Sequence, residues 1–319
     1  ILRERRRRSW FTSAAEKIKE HNIDALIIPT GTYRYIKALL DTPLKDSKAA
    51  VHVIFHGIGK KEMDRFIKQA HRANAYKNVY LDVISLRDDM LRPDLPRVRK
   101  ILPPVFLPSS ELSGEQGNCA TQGNTSIQDK KDENSTTCIG NNLESPISTN
   151  KPIKLGFFGQ FRKEKNIERF IDAFVSLNYD DSVQLVVQGA TVKPEDGILF
   201  ESIIKKYSQY SNIKFIHASL IGKDWDTALM SVDALLLPYG AERYRYHWAA
   251  MLFTAIGFHK PVLISPEINP EVLEQYSIGE FLNLDDVHSI RQGIQTFVEN
   301  LQHHKEQYNQ GLMNAHEDY

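Results

Sequence analysis

Residues 153–174, IKLGFFGQFRKEKNIERFIDAF, constrain the fold of this chain more than any other stretch. An apolar run with strand character (Ile153, Leu155, Phe157, Phe158) breaks at Gly159, and Ile167, Phe170, Ile171 and Phe174 then recur at i, i+3, i+4 and i+7. That pattern is a strand feeding a helix through a glycine turn. In doubly wound α/β folds, ligands sit outside the carboxyl ends of such strands, where helix N-termini leave backbone N–H groups free and favour an anion. Arg162 and Lys165 bring two cations to this point, the first suited to bidentate phosphate contact and the second a point charge. Neither a P-loop nor a GxGxxG is present, and a solvated first helical turn also accounts for single basic residues there.

The same unit recurs downstream. Strand 183–187 ends at Gln188-Gly189 and is followed by helix 197–207, strand 213–217, a short helix at 225–230 and strand 234–237. Helix 248–256, strand 261–264, a short helix at 270–276 and helix 287–301 complete the series. Strands alternating with helices at this spacing imply a parallel sheet with helices on both faces. The loop after 234–237 is rich in Arg, His and aromatic residues (Tyr239, Tyr244, Arg245, Tyr246, His247, Trp248), a mixture suited to a phosphosugar or to loop packing.

The order strand, Gly-Gln-x-Arg-x-x-Lys-Asn-Ile, helix, Leu-Pro-Tyr, loop, helix, Lys-Pro-Val-Leu and a Pro-Glu pair resembles the nucleotide-sugar-binding domain of group 1 glycosyltransferases of the GT-B fold. It covers roughly the C-terminal half of the chain. The resemblance implies an α/β chain of two Rossmann-like domains with the active site in the cleft between them. It implies a hexosyltransferase-type enzyme that moves a sugar from a nucleotide-sugar donor to a glycan, lipid-linked or other hydroxyl acceptor, in cell-surface polysaccharide or glycoconjugate synthesis, with retention of configuration. No cofactor or essential metal is expected, since helix dipole and basic side chains stabilise the leaving diphosphate.

Carried onto this sequence, the resemblance assigns Gly159, Gln160, Arg162 and Lys165 to the donor diphosphate. It groups Gln188, Gly189, Tyr239, Glu242, Arg245, His247, Trp248 and Thr254 with the donor nucleotide and sugar, and His56 and Glu267 with catalysis. The chain departs from the pattern at three points: Gln160 stands where many relatives carry Arg, Ala249 and Ala250 replace a Ser-Gly pair, and the two acidic positions of E-x7-E fall on Tyr246 and Thr254. Glu242 or Glu267 can supply a carboxylate from another piece of backbone; Glu267 and Glu271 also read as first-turn residues stabilising a helix dipole. His56, at a strand end before Gly57, can orient or deprotonate an acceptor hydroxyl, or be a turn histidine satisfied by backbone.

With 319 residues, 41% hydrophobic and 25% charged, the chain is long enough for two domains. Forty basic residues balance forty acidic ones, so no global field draws in nucleic acid, and a small-molecule or glycan substrate fits better. No apolar run approaches the roughly 20 residues of a membrane span, no signal-peptide h-region opens the sequence, and a cytoplasmic protein is expected. Five arginines within Arg3–Arg8 are either the solvated face of a helix running to His21 or a patch for anionic headgroups at the inner face of the membrane, at about 1 kcal/mol each.

In the N-terminal part, strands 25–28, 49–55 and 77–84 alternate with helices 35–40 and 62–72, and residues 98–108 resemble the segment by which the family leaves its first domain. About three strands, against about six in a full domain of this kind, imply an incomplete first domain. The expected division is therefore an acceptor-side domain over 1–108, a disordered linker or insertion over 109–152, and a donor-side domain over 153–319. The polar linker holds both cysteines, Cys119 and Cys138, expected reduced, and sequons at Asn124 and Asn134. Two other classes stay open: a non-catalytic nucleotide-sugar or glycan-binding partner, which would bind a donor without turnover, and a GT-B sugar epimerase, which would act without an acceptor.

Overall fold

The computed structural model describes residues 2–109 and 151–319. Nearly all of the expected linker, with Cys119, Cys138, Asn124 and Asn134, lies outside the described residues.

The N-terminal part is a four-stranded sheet in the order β1 (Ala25–Ile28), β2 (Ala50–Phe55), β3 (Val79–Ile84) and β4 (Val98–Ile101), every pair parallel. In β2 the period of 2 is visible in burial: Val51, Val53 and Phe55 are buried while Ala50, His52 and Ile54 are half-buried. The buried set joins a core with Phe11 of α1 (Leu2–His21), Ile36 and Leu39 of α2 (Tyr33–Leu40), and Phe66 and Ala70 of α3 (Met63–Ala73). β4 is a fourth strand where the sequence suggests about three. Its residues Val-Arg-Lys-Ile carry two charges, and what holds it is pairing with Leu81–Ile84 together with Arg99, whose Nε donates to Asp82 Oδ1 at 2.8 Å. Asp82 is buried, and its other oxygen accepts from His52 Nδ1 at 2.9 Å, so one carboxylate ties β2, β3 and β4.

The C-terminal part is a six-stranded sheet in the order β10-β9-β8-β5-β6-β7, again all parallel. The strands are β5 (Ile153–Phe157), β6 (Val183–Gln188), β7 (Ile213–Ile216), β8 (Ala234–Leu237), β9 (Val262–Ile264) and β10 (Gly279–Phe281). The chain moves outward from β5 to β7 and returns beside β5 as β8, so the strand order reverses between β5 and β8 and opens a crevice at their carboxyl ends. Every residue of β8 and β9 is buried, as a parallel sheet covered on both faces requires. The helices are α4 (Ile167–Val175), α5 (Pro194–Tyr207), α6 (Lys223–Met230), α7 (Ala250–Gly257), α8 (Pro270–Gln275), α9 (Val287–His303) and α10 (Lys305–Asp318).

The two parts meet where residues 102–108 leave β4 and cross α7. Phe106 N–H donates to Phe253 O at 3.4 Å, and a Cβ on Gly257 would lie 2.1 Å from Phe106 O. Backbone cannot retreat cheaply, so Gly257→Ala is expected to lower stability by about 1–3 kcal/mol, the range for overpacking. Gly197, inside α5, has only Thr191 Oγ1 at 3.5 Å from the same position. Gly197→Ala should therefore gain up to about 1 kcal/mol of helix propensity. Urea unfolding of the two variants should move in opposite directions; a Gly257→Ala midpoint equal to that of the parent chain would contradict the close crossing.

Candidate active site

The crevice is built by loops that the sequence ties to one another. Gly159 ends β5 with φ 109°, a conformation open to glycine. Its N–H donates to Gln188 Oε1 at 2.7 Å, and Gln188 Nε2 donates to Ala218 O, so this buried amide binds together the loops after β5, β6 and β7. After a single 3₁₀ turn (Lys163–Lys165), Asn166 takes a left-handed φ of 53° and α4 starts at Ile167, just beyond the basic residues. Asn166 Nδ2 donates to Pro238 O at 3.3 Å and Gly240 N–H to Glu164 O at 3.3 Å. The loops after β5 and β8 are thereby stitched across the point where the sheet reverses.

Lys165 points into this junction and is only 7% exposed. Its Nζ lies 4.5 Å from the Tyr239 ring centroid, 5.6 Å from that of Phe157, and 3.7 Å from where a Cβ on Gly159 would be. Among the described residues no carboxylate or carbonyl accepts from it. Burial, followed by the nearby Arg162 and Arg243 guanidiniums, lowers its pKa from 10.5 to about 8, while Glu164 acts in the other direction. Glu164 is engaged by Arg243 at 3.3 Å and by Arg162 at 3.8 Å. Three cations thus share one carboxylate, and the ammonium at the centre has only ring faces beside it.

Several assigned side chains turn out to be spent on the scaffold. Gln188 has both amide ends engaged as described, and Gly189 lies under Phe200, 2.8 Å from a would-be Cβ, with its N–H donating to Ile216 O. Thr254 is buried and its hydroxyl donates to Ala250 O at 3.0 Å, within its own helix, so it does not present a free donor to a ligand. Tyr239 is buried with its Oη unpartnered, and burial raises its pKa; what it offers the crevice is the ring that flanks Lys165. Gln160 Oε1 accepts from Arg162 Nη2 at 2.9 Å and so aims that guanidinium. Glu242 is exposed at the start of a 3₁₀ turn, Glu242–Arg245. Arg243, one position on, is the cation that reaches Glu164; its basic character in the loop after β8 was the available signal, and Arg245 carries the same one.

His56 and Glu267 occupy different places. Glu267 faces Arg245 at 3.9 Å and borders an open cavity of about 630 Å³ shared with Asn166, Gly240 and Leu284. His56 directly follows β2 of the smaller sheet, and its Nε2–H donates to Pro29 O at 2.8 Å, which leaves Nδ1 of the neutral ring as an acceptor. His247 Nδ1–H donates to His56 O at 3.1 Å, and the Trp248 ring stacks at 6.0 Å from His56 and 6.1 Å from Phe106. A Cβ on Gly57, where φ is 118°, would lie 2.4 Å from Tyr246 O. The loop before α7 therefore docks directly on the strand end carrying His56.

A family model described as "Glycosyl transferases group 1" matches residues 141–312, more than half of the chain. The chain belongs to the group 1 glycosyl transferases. No curated protein matches the sequence. Among solved structures, HepE from Anabaena in complex with UDP and glucose is 12% identical, with a TM-score of 0.59 over 96% of this chain and 75% of that one. A glycosyltransferase from Rickettsia africae is 13% identical with a TM-score of 0.62, covering 95% of this chain and 75% of its own. An α,α-trehalose-phosphate synthase from Burkholderia xenovorans, in complex with glucose-6-phosphate, is 9% identical with a TM-score of 0.61, covering 98% and 73%. At these identities the likeness is one of fold, and the fold of this glycosyl transferase is the two-domain α/β arrangement of the GT-B type. Among the described residues no group of three His, Cys, Asp or Glu is placed to hold a metal ion, and no helix is long and apolar enough to cross a membrane.

The buried ammonium has a measurable cost in the ligand-free enzyme. Its pKa is about 8 in the folded chain against 10.5 unfolded, so between those values the unfolded state binds more protons and stability rises with pH. Below the lower value the penalty is complete, about 3 kcal/mol from 1.36 kcal/mol per unit. Lys165→Met removes the charge and keeps the stem. It should be more stable than the parent chain at pH 7, with the difference shrinking toward pH 10.5 in denaturant titrations run across that range. A constant difference at all pH values would show that the ammonium is not the source.

Proposed function

We propose that this chain transfers a hexosyl group from a nucleoside-diphosphate sugar to an acceptor hydroxyl, and that Lys165 binds the donor diphosphate. The observation that carries the reading is a nine-tenths buried cation with no direct ion pair among the described residues, flanked by Arg162 and Arg243, at the crevice where the larger sheet reverses its strand order. A diphosphate supplies the missing charge. Hydrogen bonds to charged groups contribute about 1.5–3 kcal/mol each, and they strengthen as the glycosidic bond breaks and the leaving diphosphate gains negative charge.

Transfer requires the C1–O bond to the diphosphate to break, a bond from C1 to the acceptor oxygen to form, and the acceptor's proton to leave. His56 is the candidate for the last step, since its Nε2–H is committed to Pro29 O and the neutral ring keeps a lone pair on Nδ1. Glu267, held by Arg245 beside the cavity, is the candidate carboxylate toward the sugar hydroxyls. The reading includes no cofactor and no essential metal, the charge on the leaving group being met by Lys165, Arg162 and Arg243. A glycan or lipid-linked acceptor in cell-surface polysaccharide or glycoconjugate synthesis, on the cytoplasmic side of a membrane, fits this chemistry. Arg3, Arg5 and Arg6 are exposed on α1 together with Leu2 and Trp10, a combination suited to peripheral contact with anionic headgroups.

Calorimetric titration with UDP, GDP and ADP, followed by donor turnover with the matching sugars, tests the proposal. Lys165→Met and Arg162→Gln should each weaken binding of the preferred nucleoside diphosphate at least tenfold. In the parent chain affinity should be level from about pH 7, where the terminal phosphate is largely dianionic, to the free-protein pKa of about 8 and fall above it, because the ligand binds the protonated amine. Unchanged affinity in both variants would overturn the assignment, and binding without turnover of any donor would favour a non-catalytic module.

A further inference from the structure

The smaller sheet carries a second concentration of positive charge on the same strand-end edge as His56, and none of the donor chemistry uses it. Tyr33 opens α2 after the loop that leaves β1, and two guanidiniums converge on its hydroxyl: Arg34 Nε at 3.1 Å and Arg65 Nη1, from the first turn of α3, at 3.3 Å. Both also lie against its ring, at 5.4 Å and 5.7 Å from the centroid. The phenol therefore fixes the two forks side by side. Arg34 and Arg65 are exposed, and neither forms an ion pair among the described residues, although eighteen such pairs occur elsewhere in them. Glu4 and Glu62 act on Arg34 only through space, and Glu4 already pairs with Arg7 at 3.2 Å. Lys60 and Lys61, in the 3₁₀ turn before α3, add two exposed ammonium groups.

The position is what gives the cluster a use. His56 donates to Pro29 O, so the loop after β2 is fastened to the loop after β1, which runs through Gly31 to Tyr33. Gly31 N–H in turn donates to Ile54 O at 2.7 Å, holding that loop against β2. The arginine pair thus stands on the rim from which His56 faces Trp248 and the larger sheet. Two guanidiniums oriented by a shared hydroxyl and lacking carboxylates are suited to a phosphate, whose oxygens accept from both forks at once.

We propose that the acceptor of this enzyme carries a phosphate or phosphodiester, which Arg34 and Arg65 bind while its hydroxyl is presented toward His56. This rests on the glycosyl-transfer reading for the word acceptor; the phosphate site itself does not. The phosphate belongs either to a soluble phosphosugar or to a lipid-linked one, and the two are separable by experiment.

Inorganic phosphate, galactose 1-phosphate and galactose are titrated by calorimetry into Lys165→Met, in which the donor diphosphate site is weakened. Binding of phosphate and galactose 1-phosphate, with none of galactose, is expected. Adding Arg34→Gln or Arg65→Gln should reduce it at least tenfold, while Tyr33→Phe, which keeps both arginines and releases their common anchor, should reduce it three- to tenfold. Flotation with phosphatidic acid vesicles decides the source: retention that depends on Arg34 and Arg65 indicates a lipid-linked phosphate, and its absence beside galactose 1-phosphate binding indicates a soluble one. Phosphate affinity unaffected by the double variant Arg34→Gln/Arg65→Gln would overturn the proposal. If the parent chain also fails to bind any nucleoside diphosphate, it is the glycosyl-transfer reading that falls, whatever the arginine variants show.

Discussion

The larger sheet holds one ammonium out of water at the crevice where its strand order reverses, and does so at a cost in stability. Lys165 is buried among Tyr239, Phe157 and Gly159 with no acceptor among the described residues, and an isolated buried charge is among the more expensive features a core can hold. Ring faces offset part of that penalty. The remainder is borne by the stitching around it: Gln188 fastens three strand ends, Asn166 and Glu164 join the loops after β5 and β8, and Ser265 Oγ donates to Tyr239 O to hold the ring in place. A looser crevice would let the side chain swing out to solvent, restore its ordinary pKa and lose its bias toward an anionic ligand. Strain of this sort, retained at one spot and compensated by its surroundings, is the usual condition of a working site.

A second constraint is the contact between the two sheets. It is made by small residues and backbone, Gly57 against Tyr246 and Gly257 against Phe106, with His56 and Trp248 stacked beside them. The glycine contacts are sensitive to distance, and Leu86 and Val105 of the N-terminal part add apolar packing against the larger core. The two hydrophobic clusters remain separate. His56 and the loop preceding α7 therefore share one environment only when the halves are together. Among the described residues nothing accepts from the buried indole N–H of Trp248.

Most of the scaffold was legible because its signal is periodic. β1 and β8 fall where their apolar runs predict, and α4 follows from Ile167, Phe170, Ile171 and Phe174. The elements that escaped are those whose periodicity is diluted. β10 is Gly-Glu-Phe on the edge of the sheet, with no alternation to read in three residues. α10 buries Tyr308, Gly311, Leu312 and Ala315 at helical spacing, but a glycine and a tyrosine among polar neighbours do not look like a core face. At the site, residue type identified the cations, whereas connectivity decided which polar groups are available. No pattern in the sequence could show that the Thr254 hydroxyl is taken by Ala250 O, or that Arg243 and not Arg245 reaches Glu164.

The distribution of acids around the crevice leaves its cations in excess. Where relatives are expected to place two carboxylates, this chain has Tyr246 and the internally bonded Thr254. Of the acids nearby, Glu164 is engaged by Arg243 and Arg162 and Glu267 by Arg245, while Glu242 is exposed. Even the first turn of α7 is closed to a ligand in part, since Ala249 N–H donates to Asn269 Oδ1 at 3.1 Å. Adding an anion to such a site requires no existing pair to break, because Lys165 has none. Adding a second carboxylate beside it would satisfy the ammonium internally, raise its pKa and remove the unbalanced positive charge. The shortage of free carboxylates and the burial of Lys165 act together: among the described residues, the positive charge of the crevice exceeds the negative charge beside it.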